Sequence, residues 1–376
     1  MSNRHRLSLL AMACLAALSN LGAQDGQVSV NNSFTAQNHV FLASELPDAE
    51  ISVSWKPELF GEYFISPAIR LSADLSMTNH LNLLFDGDGS GQELDFSMYR
   101  AWLAASYRNT ELKGGLQHIR MGVAQVLRPL MWFDRIVPGA MLQETKGVQA
   151  LTLTHFFPDP ELRLWLLRGN GEAKGAELLP SQQDSWEFGG RIGAMTALGE
   201  TGLSYHQRVI SHPQTSAGVT EYRIGFDQRV DGFMGGWLEA AANLLENGVS
   251  VATPYGSYAY PRQIVSLTLG GDYTIEVGNG LYLLLEQNMQ LQGLEPVKDT
   301  DARFNGALLM TYPLGLLDGL QMLASYDYNE RRGFGAISWR RTYDYLSWEL
   351  SLGLDSGYPA HLSRMPSLNL VLNYDI

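Results

Sequence analysis

Arg120, Arg128, Asp134, Arg135, Glu144 and Lys146 lie close together in the stretch RMGVAQVLRPLMWFDRIVPGAMLQETK, among Leu130, Met131, Trp132 and Phe133. Fixed charges of both signs beside a narrow passage create a field that sorts ions, without making or breaking bonds. Selection is therefore the chemistry expected of this stretch, with Arg120, Arg128, Trp132, Asp134, Arg135, Glu144 and Lys146 as candidates for a constriction. Pro129, Pro138 and Gly139 punctuate it and argue against one long helix. A mixed polar and aromatic insert between strands is expected to fold inward and narrow a pore. The plainer role for Arg128 and Arg135 is to pair with Asp134, Glu144 or wall carboxylates and pin the segment. Trp132 and Phe133 are expected to anchor it by burying aromatic area, rather than to stack on sugars.

Other constellations offer less. Asp86-Gly-Asp88-Gly-Ser90 reads like the first half of a calcium loop, with oxygen ligands at alternate positions. Its twelfth position is Ser97 where a closing glutamate belongs, so a plain Gly/Asp turn is the preferred reading. His155 falls in LTLTHFF on the register of Leu151, Leu153 and Phe157, and His206 in SYHQR on a polar register expected to face a wet interior. Neither has zinc-helix spacing, and the chain carries no GxSxG, P-loop or dinucleotide fingerprint. The sequence predicts no enzyme and no cofactor.

The elements that must position the charged stretch are short alternating strands. Ile69, Leu71, Ala73, Leu75 and Met77 oppose Arg70, Ser72, Asp74 and Ser76; Leu346, Trp348, Leu350, Leu352 and Leu354 oppose Ser347, Glu349, Ser351 and Asp355. Such a dyad repeat makes a sheet with one apolar and one polar face. Glu239, Asn243, Glu286, Asn288 and Gln290 on the polar faces suit a wet lumen, and aromatic residues gather at strand ends as interfacial girdles do. Long connections are expected near 79–93, 120–146, 169–184, 245–261, 291–301 and 357–366, with short turns between them. The rhythm gives about 16 strands from Ile65 onward. A hairpin from Ser33–Leu42 and Glu50–Glu58 makes about 18, the preferred count.

Composition agrees. Only 17% of the 376 residues are charged, and Arg4 to Arg6 followed by LSLLAMACLAAL reads as a secretory signal peptide cut after Ala23. Its removal would take the only cysteine and leave 24 basic against 39 acidic residues, which argues against a nucleic-acid partner. No later stretch approaches the roughly 18 apolar residues of a spanning helix, but alternation hides the hydrophobicity of a barrel. Residues 1–23 are thus expected as the signal and 24–376 as one transmembrane antiparallel β-barrel.

The last residues, SLNLVLNYDI, put Leu368, Leu370, Leu372, Tyr374 and Ile376 on one face. This resembles the C-terminal assembly signature of outer-membrane barrels, with Ile376 where an aromatic usually ends it. Together with the signal peptide, the pattern resembles bacterial porins over the whole mature chain. The run Tyr99-Arg100-Ala101-Trp102 and the residues through Arg120 also resemble alginate-export-like channels of about 18 strands. The porin resemblance implies a constriction loop between the fifth and sixth strands, opposed across the pore by Arg100, Arg163, Arg191, Arg223, Asp227 and Arg229. It implies passive diffusion of small hydrophilic solutes or ions through the bacterial outer membrane. The implied partners are outer-membrane lipid and the barrel-assembly machinery, and a homo-oligomer is compatible with it. The rival readings are a non-conducting scaffold or adhesin acting through external loops, and a polymer-export channel.

Overall fold

The computed structural model describes residues 26–41, 49–86, 89–134, 147–211, 218–253, 256–295, 298–356 and 367–375. The expected signal peptide, Arg135, Glu144, Lys146, Asp88 and Ile376 lie outside the described residues. In chain order the strands are β1 (Gly26–Phe41), β2 (Ala49–Ser66), β3 (Ile69–Asp86), β4 (Gly89–Tyr107), β5 (Thr110–Gln117), β6 (Val148–Phe156) and β7 (Glu161–Arg168). They continue as β8 (Trp186–Thr196), β9 (Gly199–Ser211), β10 (Gly218–Asp231), β11 (Gly235–Leu245), β12 (Val249–Thr253), β13 (Gly256–Tyr260) and β14 (Gln263–Ile275). The last six are β15 (Leu281–Glu295), β16 (Lys298–Pro313), β17 (Asp318–Asp327), β18 (Arg332–Thr342), β19 (Leu346–Ser356) and β20 (Ser367–Asp375).

All but β12 and β13 belong to one antiparallel sheet of 18 strands. It closes on itself because β20 pairs with β1, from Ser33 opposite Asp375 to Phe41 opposite Ser367. Closure satisfies the backbone groups of both edges, which hydrocarbon would leave unpaired. The N-terminal hairpin of β1 and β2 takes its place in the wall, so the count is 18 and not 16. Cysteines at Thr35 and Asn373, which face each other across this seam, are expected to crosslink on mild oxidation. A pair at Ala73 and Asn373 is expected to stay free; the reverse result would remove β1 and β2 from the wall.

The pattern of burial is that of a membrane barrel. Along β10, Val219, Glu221, Arg223 and Asp227 are buried while Tyr222 and Ile224 are exposed. In β19 and β20, Leu350, Leu352, Leu354, Leu368, Leu370 and Leu372 are exposed, and Glu349 and Asn369 are buried. A soluble sandwich would bury the leucines. Charge inside and leucine outside is stable only where the outer medium is hydrocarbon. Exposed Tyr107, Phe156, Phe157, Phe233, Tyr273, Tyr343, Tyr345 and Tyr374 ring the end that carries the short turns, as an interfacial girdle does. Tyr374 is exposed as expected for the lipid face, and Asn373 is on the opposite register.

Several expected long loops are strand. Residues 79–93 continue β3 and β4 as far as Asp86 opposite Gly89, because Leu81, Leu83 and Phe85 keep the alternation going to an Asp-Gly turn signal. Residues 291–301 do the same, with Glu295 opposite Lys298. The connection at 245–261 contains the β12–β13 hairpin.

Candidate functional site

β5 and β6 are joined by the charged stretch, and the segment 118–134 runs inside the barrel. Two inward carboxylates hold it. Glu239 of β11 accepts the backbone N–H groups of Val123 at 2.8 Å, Ala124 at 2.8 Å and Leu130 at 2.7 Å. Glu286 of β15 accepts those of Gln125 at 2.7 Å, Val126 at 2.9 Å and Leu127 at 2.6 Å, together with the Trp237 indole at 3.0 Å. Between them Thr268 of β14 donates to the Leu127 carbonyl at 2.6 Å. A segment without helix or strand must find partners for its N–H groups, and here the wall supplies them as carboxyl oxygens. Gly122 has a φ of +83°, and a Cβ there would run into the Glu239 carboxylate, so the close approach needs glycine.

Apolar packing fixes the rest of the segment. Ile119, Met121, Leu130, Trp132 and Phe133 form a buried cluster with Val148, Ala150, Trp165, Leu167 and Ala241 from the inner wall. Ala124 and Val126 pack on Trp237, Leu284 and Ala307. The segment therefore lies along the wall from β6 round to β16.

A second inward segment follows β7. Residues 169–185, expected outside, turn back into the barrel and rest on the first: Ala176 N–H donates to the Met131 carbonyl at 3.0 Å. Gly175, at a φ of +50°, sits where a Cβ would strike backbone of Met131, Trp132 and Asp134. Lys174 pairs with Glu187 at 2.6 Å, and Glu177 bridges Arg208 at 2.7 Å and Arg223 at 3.0 Å. Glu221 pairs with the same two arginines. A polar loop enters because its few charged side chains meet inward partners already waiting on β8, β9 and β10.

The sequence candidates separate into three groups. Arg128 and Asp134 are buried and paired with each other at 2.6 Å, and Arg128 also donates to the Met121 carbonyl at 2.8 Å. They clamp the segment onto itself and are not wet, which corrects their reading as pore-lining charges. Trp132 is likewise buried, its ring against His206. Arg120 is exposed. Asp86 bounds the β3–β4 turn and Ser90 is an exposed strand residue opposite Phe85. Among the described residues no three acidic, histidine or cysteine side chains converge on a metal position.

Arg100, Arg163, Arg191, Arg223, Asp227 and Arg229 are on inward registers, mostly paired. Arg191 binds Asp227, with Nη2 to Oδ1 at 2.8 Å; Arg163 meets Glu161 at 2.9 Å; and Arg229 meets Asp231 at 3.0 Å and Asp272 at 3.4 Å. Arg100 lies over the Tyr99 ring at 4.0 Å, and Lys56 approaches the same ring at 5.0 Å. His206 points inward as expected, but into a dry site: it is buried between Trp165, Phe133 and Glu187. His155 is on the outward register, joined to Thr110 at 2.7 Å and packed on Phe157.

Glu239 and Glu286, expected on polar faces lining a wet lumen, keep no exposed surface. A signal was present in the strands. Glu239 stands opposite Asp227 and Thr268, and Glu286 opposite Gly270 and Ala307. An inward carboxylate with no cation beside it in the wall must find its donors elsewhere.

No family profile matches this sequence, and no curated protein does. Solved structures do match in shape. OccAB1 of Acinetobacter baumannii superposes with a TM-score of 0.58 at 10% identity, over 94% of this chain and 97% of that one. OmpF of Salmonella typhi, solved in complex with daunomycin, gives 0.55 at 9% identity over 94% and 98%. OmpT of Vibrio cholerae in its trimer form gives 0.53 at 10% identity over 94% and 100%. At such identities the likeness is one of fold, and the chain therefore has the fold of a bacterial outer-membrane porin, a closed antiparallel barrel of 18 strands.

Proposed function

We propose that the protein is an outer-membrane channel for passive diffusion of small hydrophilic solutes or ions, narrowed by the segment after β5. The observation that carries this reading is the hold of Glu239 and Glu286 on six backbone N–H groups of residues 123–130. A wall built to fix a loop inside the barrel at one side leaves the passage to the other side. There Ser325, Ser338 and Ser351 share the inward register with Gln321 and Arg340. Arg340 pairs with Glu349 yet keeps 58% of its side chain exposed near the short-turn end of the barrel, which supports an open mouth on that side.

Arg120 is the wet charge of the described part of the segment and would act with Arg100 on passing ions. The exposed leucines would meet outer-membrane lipid, and the periodic face of β20 would be offered to the assembly machinery. A homo-oligomer fits the reading, since the V. cholerae neighbour was solved as a trimer. Purified mature protein in a planar bilayer is expected to give discrete, ohmic conductance steps. Arg120→Glu should shift the reversal potential toward cation selectivity, most clearly near 0.01 M salt, where screening reaches roughly 30 Å. A correctly folded barrel that passes no current would overturn the channel and turn attention to the external surface.

A further inference from the structure

A cavity of about 360 Å³ lies between the two inward segments and the wall of β9, β10, β11, β14 and β15. That is the small end of ligand pockets, roughly 300–1,000 Å³. Each of its charges is already paired. Arg208 and Arg223 are matched by Glu177 and Glu221, and Arg128 by Asp134 behind the lining, all six side chains nearly fully buried. An anion entering here would have to displace a carboxylate already in place, and a cation a guanidinium. The cavity thus favours a solute without net charge.

The rest of the lining says what such a solute carries. Asn243, Ser266, Asn288 and Gln290 put amides and a hydroxyl on one side, and Leu127 and Met131 put an apolar surface on the other. Asn288 spends its Nδ2 on Ser266 and Thr268, each at 2.9 Å, which leaves its carbonyl as an acceptor. Four lining residues hold buried polar atoms without a hydrogen-bond partner: the Arg128 Nε and Trp132 Nε1, donors, and the Asn243 Oδ1 and Glu177 Oε1, acceptors, the last kept in its ion pair with Arg223 at 3.0 Å. A carboxylate only accepts and an ammonium only donates, whereas a hydroxyl does both. A ring with hydroxyls on its edge and C–H groups on its face meets all of these demands at once.

We infer that this cavity is a binding station for a neutral saccharide of one or two rings. The inference rests on the channel reading only for the route by which the solute arrives. Calorimetric titration of the detergent-solubilised barrel with sucrose tests it, with sodium gluconate as the charged comparison. Sucrose is expected to bind saturably in the millimolar range and gluconate not at all. Asn243→Leu and Gln290→Ala, each checked for heat-modifiable folding, are expected to weaken sucrose binding about tenfold, the loss of one or two hydrogen bonds. Unsaturable heats, equal affinity in both variants, or gluconate binding tighter than sucrose would each overturn the assignment. Sucrose binding by a barrel that passes no current would keep the site and remove the channel; current without sucrose binding would do the opposite.

Discussion

Replacing Glu239 and Glu286 together by alanine is expected to raise single-channel conductance severalfold and to make the open current noisy. The six N–H groups they accept lie on residues 123–130, and even an ordinary hydrogen bond contributes about 0.5–1.5 kcal/mol. Their combined loss exceeds what the apolar contacts of Ala124 and Val126 would hold in one position. The freed segment would then solvate its backbone in the lumen. The paired glutamines are the informative intermediate, because one amide oxygen still accepts while the amide NH2 faces the remaining N–H donors, so only part of the wild-type current should return. Heat-modifiable mobility would show that all variants assemble. Conductance unchanged in an assembled double alanine variant would place residues 123–130 outside the ion path, and the proposed constriction would be lost with it.

Leu350→Arg is expected to abolish most assembly, and Ser351→Arg to leave it near the wild-type level. Leu350 is 38% exposed on the outer face, opposite Leu370 and Trp339, and Ser351 is on the inward register opposite Ser338. An arginine in the middle of the lipid face costs about 2–4 kcal/mol, while the same side chain in a wet lumen costs little. The readout is the fraction of folded protein that keeps compact mobility when unheated in detergent. Equal recovery of the two variants would mean that neither face is bathed in hydrocarbon. Two neighbouring residues thus separate a membrane barrel from a soluble one more sharply than any overall hydropathy does.

The alternation of Leu346 to Leu354 and of Leu368 to Tyr374 was legible in the sequence because a strand has a fixed side-chain period of two, which needs no knowledge of neighbours. From it follow the sheet, its two faces and, through the turn spacing, the number 18. The inward location of the stretch after Arg120 was likewise readable from its length and mixed character. What could not be read was who holds it. The Arg128–Asp134 pair, six residues apart, was among the pairings the sequence offered, but Glu239 and Glu286 hold backbone N–H groups 109 to 161 residues away. Local pattern carries no information about such pairings.

The second inward segment makes the same point. Residues 169–185 look like any polar connection, with Gly171, Gly175 and Asp184 as turn residues. Only closure of the barrel brings Glu187, Arg208, Glu221 and Arg223 round to the same depth as Lys174 and Glu177. By itself, then, the sequence determined the strand period, the apolar outer face and the closed sheet, since these depend on local stereochemistry and on the medium. The tertiary structure decided which charges stay wet and which become buried pins. The energy of a charge depends on every donor, acceptor and dielectric boundary around it, and those are assembled only when the barrel closes.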